Sequence, residues 1–310
     1  MNILITGGAG YIGSILTEQL LGTGHRVTVL DNFMYGQNSL AHLCRYERLD
    51  IVRGDARGQD VLKPLLLYAD AVIPLAAIVG APACDADPIG ASFTNLNAVI
   101  TLGQLMSSSQ LLVIPITNSG YGVGEPGKEC DETSPLNPLS LYGCLKVQAE
   151  EVAMSRPNSV SLRLATAFGM SPRMRLDLLV HDFVYRAVRD RFIVLFEGHF
   201  RRNFVHVRDV AAAFMHVLDN FDAMKGEIYN VGLSDANLTK RELCTQIIEH
   251  VPEFWFTEAL VGQDPDKRDY VVSNKKIEAT GWKAVRSLDD GIRELVKGYQ
   301  MLRNEKYGNV

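Results

Sequence analysis

The 310-residue sequence carries 31 Lys and Arg against 36 Asp and Glu, a formal charge of −5, with 47% hydrophobic and 22% charged residues. That balance supports a sizeable core, excludes a disordered tail, and lacks the basic face on which nucleic-acid or membrane-surface binding relies. At about 150 residues per domain, the length suggests two domains or one large α/β unit with an appendage.

The chain opens directly into Asn2-Ile3-Leu4-Ile5-Thr6, with neither a basic leader nor a small-residue cleavage site. The longest apolar candidate for a membrane span, Ala71 to Cys84, is cut by Pro74, Gly80 and Pro82. Cys44, Cys84, Cys130, Cys144 and Cys244 never form a C-x-x-C pair. Reduced packing thiols, a cytoplasmic location and no metal site are expected.

Asn2–Thr6 reads as a buried strand, and Ile12, Ile15, Leu16 and Leu20 then recur at helical spacing up to Gly22 and Gly24. Arg26–Leu30, Leu49–Arg53, Ala71–Leu75 and Leu111–Ile116 are further predicted strands, with helices at Val61–Leu67 and Ala91–Ser107. Strands separated by helices imply an α/β fold with a doubly wound parallel sheet. Beyond Arg163 the pattern loosens. Helices are predicted at Leu178–Val188, Val210–Leu218, Lys240–Val251 and Asp289–Leu302, the third opened by a capping box, Thr239-x-x-Glu242.

Thr6-Gly7-Gly8-Ala9-Gly10-Tyr11-Ile12-Gly13 joins the first strand to the first helix. Gly7, Gly10 and Gly13 suit a tight turn, close backbone approach to a pyrophosphate, and close helix–strand packing. The N–H groups of the helix start, Tyr11 and Ile12 included, face the phosphates. Asp31 ends the second strand 18 residues after Gly13, where a carboxylate accepts from the adenosine ribose hydroxyls and repels a 2′-phosphate. With Asn32 beside it in place of an Arg, the cofactor is read as NAD and not NADP. Asp55-Ala56 follows the third strand, and Leu75-Ala76-Ala77 the fourth, both where open α/β sheets bind ligands.

Tyr142 and Lys146 stand at i and i+4 on a predicted helix, Leu141–Ser155, and Thr117 ends the fifth strand 25 positions earlier. A tyrosine acting as base near neutral pH needs a downward shift of about 3 units, which a neighbouring ammonium and the nicotinamide ring could supply together. Tyr142 would take a proton from a substrate hydroxyl, Thr117 would hold that oxygen, and Lys146 would grip the nicotinamide ribose.

Together, Thr6–Gly13, Asp31-Asn32, Asp55, Ala76-Ala77, Thr117 with Tyr121-Gly122, and Tyr142 with Lys146 resemble the extended short-chain dehydrogenase/reductases, in their nucleotide-sugar epimerase/dehydratase branch. Arg202-Asn203-Phe204-Val205-His206-Val207, Asn230-Val231-Gly232 and Thr280-Gly281-Trp282 follow in the family's order. The runs 117–122, 171–177 and Asp264-Pro265-Asp266-Lys267-Arg268-Asp269-Tyr270 are most similar to the subgroup that oxidises GDP-manno-heptose at C4 in bacterial capsule-sugar pathways. The resemblance implies a Rossmann-type sheet, with an NAD-binding region over 1–165 to which segments at about 205–235 return. A smaller C-terminal α/β region, 166–310, would bind a nucleotide-diphosphate sugar. It further implies tightly held NAD, an Asn95 contact to the cofactor, substrate contacts from Asn118, Ser119, Thr166, Arg173, Arg175, Arg202 and Arg268, and a homodimer formed through 91–107 and 141–155.

Two departures matter. Thr166 stands where relatives commonly carry Asn, and Asn118-Ser119 stand where the dehydratases carry Asp-Glu, which weighs against expulsion of a C6 hydroxyl. Eight arginines and no lysine lie between Arg173 and Arg208; Arg presents a planar fork suited to phosphate oxygens, although Arg186, Arg189 and Arg191 read as a solvated helix face. His181 and His206 read as packing or hydrogen-bonded residues. The readings left open are a dehydrogenase releasing a 4-keto sugar, with a small keto acid or fresh NAD taking up the hydride, a 4-epimerase, a 4,6-dehydratase, and a silent NAD(H) sensor.

Overall fold

The computed structural model describes residues 1–259, 261–262 and 266–302; Asp264 and Pro265, the start of one motif above, lie outside the described residues. The first half supplies β1 (Asn2–Thr6), β2 (Arg26–Asp31), β3 (Leu49–Arg53), β4 (Ala71–Pro74), β5 (Leu111–Thr117) and β6 (Ser159–Leu164). Among them run α1 (Tyr11–Gly22), α2 (Gln59–Leu66), α3 (Ala81–Ala86), α4 (Pro88–Ser92), α5 (Ala98–Leu105) and α6 (Leu141–Met154). The second half adds the strands β7 (Thr166–Phe168), β8 (Phe192–Leu195), β9 (Arg201–His206), β10 (Ile228–Val231), β11 (Asn237–Thr239) and β12 (Trp255–Glu258). Its helices are α7 (Leu179–Arg189), α8 (Val207–Asp219), α9 (Phe221–Met224), α10 (Lys240–His250), α11 (Lys275–Glu278) and α12 (Leu288–Gly298).

Seven strands form one parallel sheet in the order β10-β6-β5-β4-β1-β2-β3, a Rossmann-type arrangement. The apolar runs are continuous because both faces are covered. Ile3, Ile5 and Val113 enter one core cluster, whereas Leu4, Val72 and Ile114 enter the other. The chain steps outward from β1 to β3 and then returns to β4, so the strand order reverses between β1 and β4. Ligands bind open α/β sheets beyond the strand carboxyl ends at such a reversal.

The looser second half contributes β10 to this sheet, and α8 lies against α1. β7, β9 and β11 form a separate three-stranded sheet, and β8 pairs with β12. The Thr239–Glu242 capping box opens α10.

The helix predicted over Ala91–Ser107 is interrupted. α4 stops at Ser92 and a π turn spans Phe93–Asn97 before α5 resumes. Buried Asn95 in that wide turn bonds the loop after β4, accepting from Ile78 N–H at 2.8 Å and donating to the Ile78 carbonyl at 2.8 Å.

A second device ties the C-terminal part to the loop after β5. Val123 bridges Asp269, and Cys130 bridges Val272. Gly124 N–H donates to Asp269 O at 2.8 Å, and Cys130 N–H to Val271 O at 2.7 Å. Among the described residues, no helix is long and apolar enough to cross a membrane, and no group of three His, Cys, Asp or Glu side chains could hold a metal ion.

Candidate active site

A cleft of about 330 Å³ opens at the β1/β4 reversal, floored by the glycine loop and by Leu75, Ala76 and Ala77. Gly7 has φ +72°, and a Cβ there would lie 2.6 Å from Ala76 N; a Cβ on Gly13 would lie 2.5 Å from the Gly7 carbonyl. A side chain at Gly7 would force the strand-end loops apart, and one at Gly13 would push α1 off the glycine loop. Gly10, Tyr11 and Ile12 line the cleft at the start of α1, whose first-turn N–H groups and positive dipole end suit a diphosphate.

Asp31 is buried at the cleft wall, accepting from Ala9 N–H at 3.0 Å and Phe33 N–H at 2.8 Å. Asn32, Asp55 and Ala56 complete that side. Asp55 is clamped by Arg57, which sequence reasoning missed; Arg57 Nε and Nη2 reach its carboxylate at 2.9 and 2.6 Å. That hydrogen bonding holds the Asp55 carboxyl below its ordinary range. The cradle fits a dinucleotide with free ribose hydroxyls. Accordingly, the protein is expected to bind NAD far more tightly than NADP, and Asp31→Asn to narrow the gap by about tenfold or more. Parallel titrations with the two cofactors check this; equal affinity of the unaltered protein would overturn it.

Tyr142 and Lys146 reach the same cleft from α6, whose N-cap Ser140 accepts from Gly143 N–H at 3.2 Å. Burial pushes the Tyr142 hydroxyl up to about 12, while Arg175 and Arg268 pull it down. Burial drives Lys146 down to about 8, with Glu150 one turn on pulling it back up. The protein charges that favour a Tyr142 phenolate are therefore two arginines, in place of the lysine expected to do so.

The remaining sequence-predicted residues are less uniform. Thr117 does not line the cleft; its hydroxyl donates to Ser119 Oγ at 2.9 Å and accepts Ser119 N–H at 3.1 Å, capping a short 3₁₀ turn. Asn118 is 1% exposed, and both its amide atoms lack hydrogen-bond partners among the described residues. Asn95 is spent on Ile78 and shapes the loop from behind. Thr166 pairs in register with Phe204 at the start of β7 and does not line the cleft. Arg173 and Arg175 line the cleft, the latter ion-paired with Asp177.

Arg202 is 2% exposed and holds Arg201 O, Arg268 O and Asp266, with its Nη2 3.1 Å from the Asp266 carboxylate. Its guanidinium organises the 266–268 segment. Arg268, pulled upward by Tyr270 and Asp266 against burial, donates to Ser119 Oγ and pairs with Asp266. His181 is fully buried, accepts Gly169 N–H at 3.0 Å and is driven down to about 4 by burial; His206 pairs with Glu294 at 2.7 Å.

The glycine cradle, the buried Asp31 carboxylate, half-buried Tyr142 and buried Lys146 line one cleft, and together they mark an NAD-dependent enzyme site. The NAD dependent epimerase/dehydratase family model matches residues 3–232, and the chain belongs to that family. It is 28% identical over 321 residues to UDP-glucuronic acid decarboxylase 1 of Arabidopsis thaliana, covering 99% of this chain and 72% of that one. With dTDP-glucose 4,6-dehydratase of Streptomyces niveus it shares 29% over 323 residues, 97% of this chain and 93% of the relative. The dTDP-glucose 4,6-dehydratase of Streptomyces venezuelae, solved with NAD, superposes at a TM-score of 0.86 with 28% identity, 97% of each chain being covered. UDP-glucose 4-epimerase of Thermus thermophilus, also with NAD, gives 0.82 and 26%, covering 97% of this chain and 99% of that one. NAD is the cofactor.

Proposed function

We propose that this enzyme oxidises C4 of a nucleotide-diphosphate sugar, a GDP-linked hexose or heptose, in the cytoplasm, and releases the 4-keto product for surface-polysaccharide synthesis. Bound NAD supplies the hydride acceptor. Tyr142 takes the proton of the C4 hydroxyl as hydride leaves that carbon, and Lys146 steadies the nicotinamide ribose. Arg268 and Arg175 stabilise the phenolate, and Arg268 also remains poised towards the diphosphate.

The observation that carries this reading is the pair Asn118-Ser119. Neither an amide nor a hydroxyl held by Arg268 can serve as the acid and base that expel a C6 hydroxyl. Oxidation at C4 remains. Fresh NAD or a small keto acid then takes up the hydride. The 4-epimerase alternative uses the same base and cofactor, so the outcome must be read from the product.

Incubation with GDP-, UDP-, dTDP- and CDP-sugars, read by mass spectrometry, is expected to show a loss of two mass units with a GDP-sugar and rising reduced-nicotinamide absorbance. A loss of eighteen would establish dehydration, and unchanged mass with inverted C4 stereochemistry would establish epimerisation. The reading includes a homodimer through α5 and α6, supported by exposed Ile89 and Phe93 beside them.

A further inference from the structure

One buried imidazole closes a loop at the rim of the cleft. Between β7 and α7 the chain runs outside any helix or strand, and Arg175 on that stretch lines the cleft. His181, in the first turn of α7 and 0% exposed, meets both ends of the run 169–175. Its Nε2 accepts Gly169 N–H at 3.0 Å, and its Nδ1 bonds the Arg175 carbonyl. A ring nitrogen that accepts an N–H carries no proton, so the ring is the neutral Nδ1–H tautomer and Nδ1 is the donor to that carbonyl. Burial, which drives this imidazole down to about 4, keeps it neutral at pH 7.

The closed loop is anchored on two sides. Tyr11 Oη spends its proton on the Gly169 carbonyl at 2.8 Å, and Ser171 Oγ donates to Tyr11 O at 2.7 Å. Behind it, Tyr299 at the end of α12 donates to the His181 carbonyl at 3.2 Å. The Arg175 guanidinium pairs with Asp177, and its Nη2 lies 4.0 Å from where a Cβ on Gly80 would stand. Gly80 caps α3, whose Cys84 belongs to the cluster against which Tyr142 packs. Burial raises the Tyr142 hydroxyl, and Arg175 is the stronger of the two arginines that oppose it. Besides Arg175, the ionisable groups facing Tyr142 are Arg268, Cys84 and, one turn along α6, Lys146. Around His181 stand Tyr11, Asp177, His206 and Tyr299.

We propose that His181 is a positioning residue: by holding the Arg175 carbonyl, it fixes the Arg175 guanidinium in the cleft that Tyr142 shares. A neutral histidine suits this post because it donates from one nitrogen, accepts with the other, and brings no charge of its own. Tyr142 as the base is the reading on which this assignment rests.

The test follows the Tyr142 phenolate by its near-ultraviolet absorbance as pH rises, in the full-length protein loaded with NAD, with Tyr142→Phe as the blank. Arg175→Gln is expected to move that titration up by about half a pH unit to one unit, the loss of one partly screened charge. His181→Gln keeps an acceptor for Gly169 N–H but has no donor at the Nδ1 position; it is expected to move the titration up by about 0.3 to 0.7 of a pH unit, for a charge displaced and not lost. The double variant should go no further than Arg175→Gln alone, because both changes act on one charge. His181→Asn, whose amide keeps a donor at the Nδ1 position, should restore the unaltered titration.

A titration that His181→Gln leaves in place, or that Arg175→Gln leaves in place, would return His181 to packing alone. Shifts that add in the double variant, or a His181→Asn shift as large as that of Arg175→Gln, would equally overturn the proposal. A blank that titrates like the unaltered protein would instead remove Tyr142 as the base, and this assignment with it. Should His181→Gln not fold, His181→Asn and nitrogen-15 NMR of the unaltered protein carry the test, and a ring protonated at Nε2 at pH 7 overturns it.

Discussion

Tyr142→Phe is expected to lower turnover by about 10²- to 10⁴-fold, the range for losing a positioned general base. The ring stays and only the phenolic oxygen goes, so the packing of Tyr142 beside Cys84, Ala91 and Leu145 is retained. Burial outweighs the pull of Arg175 and Arg268 and holds that hydroxyl up at about 12, so the downward shift a base needs falls to the positive nicotinamide ring. Single-turnover hydride transfer, read at the reduced-nicotinamide band, measures the loss, and NADH fluorescence titration should show affinity within about twofold, since no binding contact is removed. Undiminished turnover would remove Tyr142 from the chemistry.

Glu150→Ala is expected to cost about 3–5 kcal/mol of stability, the usual penalty for stranding one partner of a buried ion pair. Glu150 and Arg163 are only 4% and 5% exposed. Arg163 Nη2 donates to Glu150 at 2.6 Å and Arg163 Nη1 to Tyr121 Oη at 3.1 Å, while Tyr121 Oη donates to Asn230 Oδ1 at 2.7 Å. The network thus joins α6, β6, β10 and the turn after β5.

Glu150 is also the carboxylate that pulls Lys146 upward against burial. Removing it lowers the pH at which Lys146 loses its proton from about 8, so the alkaline limb of the activity profile should move to lower pH. Thermal unfolding and a pH–rate profile read the two effects separately. An unmoved melting temperature would show that the pair contributes nothing to stability.

The legible features were short in sequence. The glycine spacing, Asp31 at a strand end, and Tyr142 with Lys146 on one helix face are each set by a few consecutive residues, and local geometry follows from such spacing. What escaped depends on distant partners. Arg268 meets Ser119 across 149 positions, and Arg202 is consumed by the 266–268 backbone, so a count of arginines could not separate a phosphate ligand from a loop anchor. Thr117 was read as holding the substrate oxygen, and its bonds to Ser119 within the turn that follows lay outside that reading. Asn95 sits in a π turn that an apolar periodicity cannot announce. Glu150 carried a signal: one turn beyond Lys146 on the same face, it answers Arg163, a charge set between Leu162 and Leu164.

The bridges from Val123 to Asp269 and from Cys130 to Val272 set the rules for building chimeras of this enzyme. A graft that exchanged everything after residue 165 for a relative's sequence would sever those bridges and the Arg268–Ser119 contact, although the junction would fall between β6 and β7. The loop at 118–130 and the segment at 266–272 form one bonded unit, so breakpoints that carry both together keep these bridges whole beside the host's cofactor cradle.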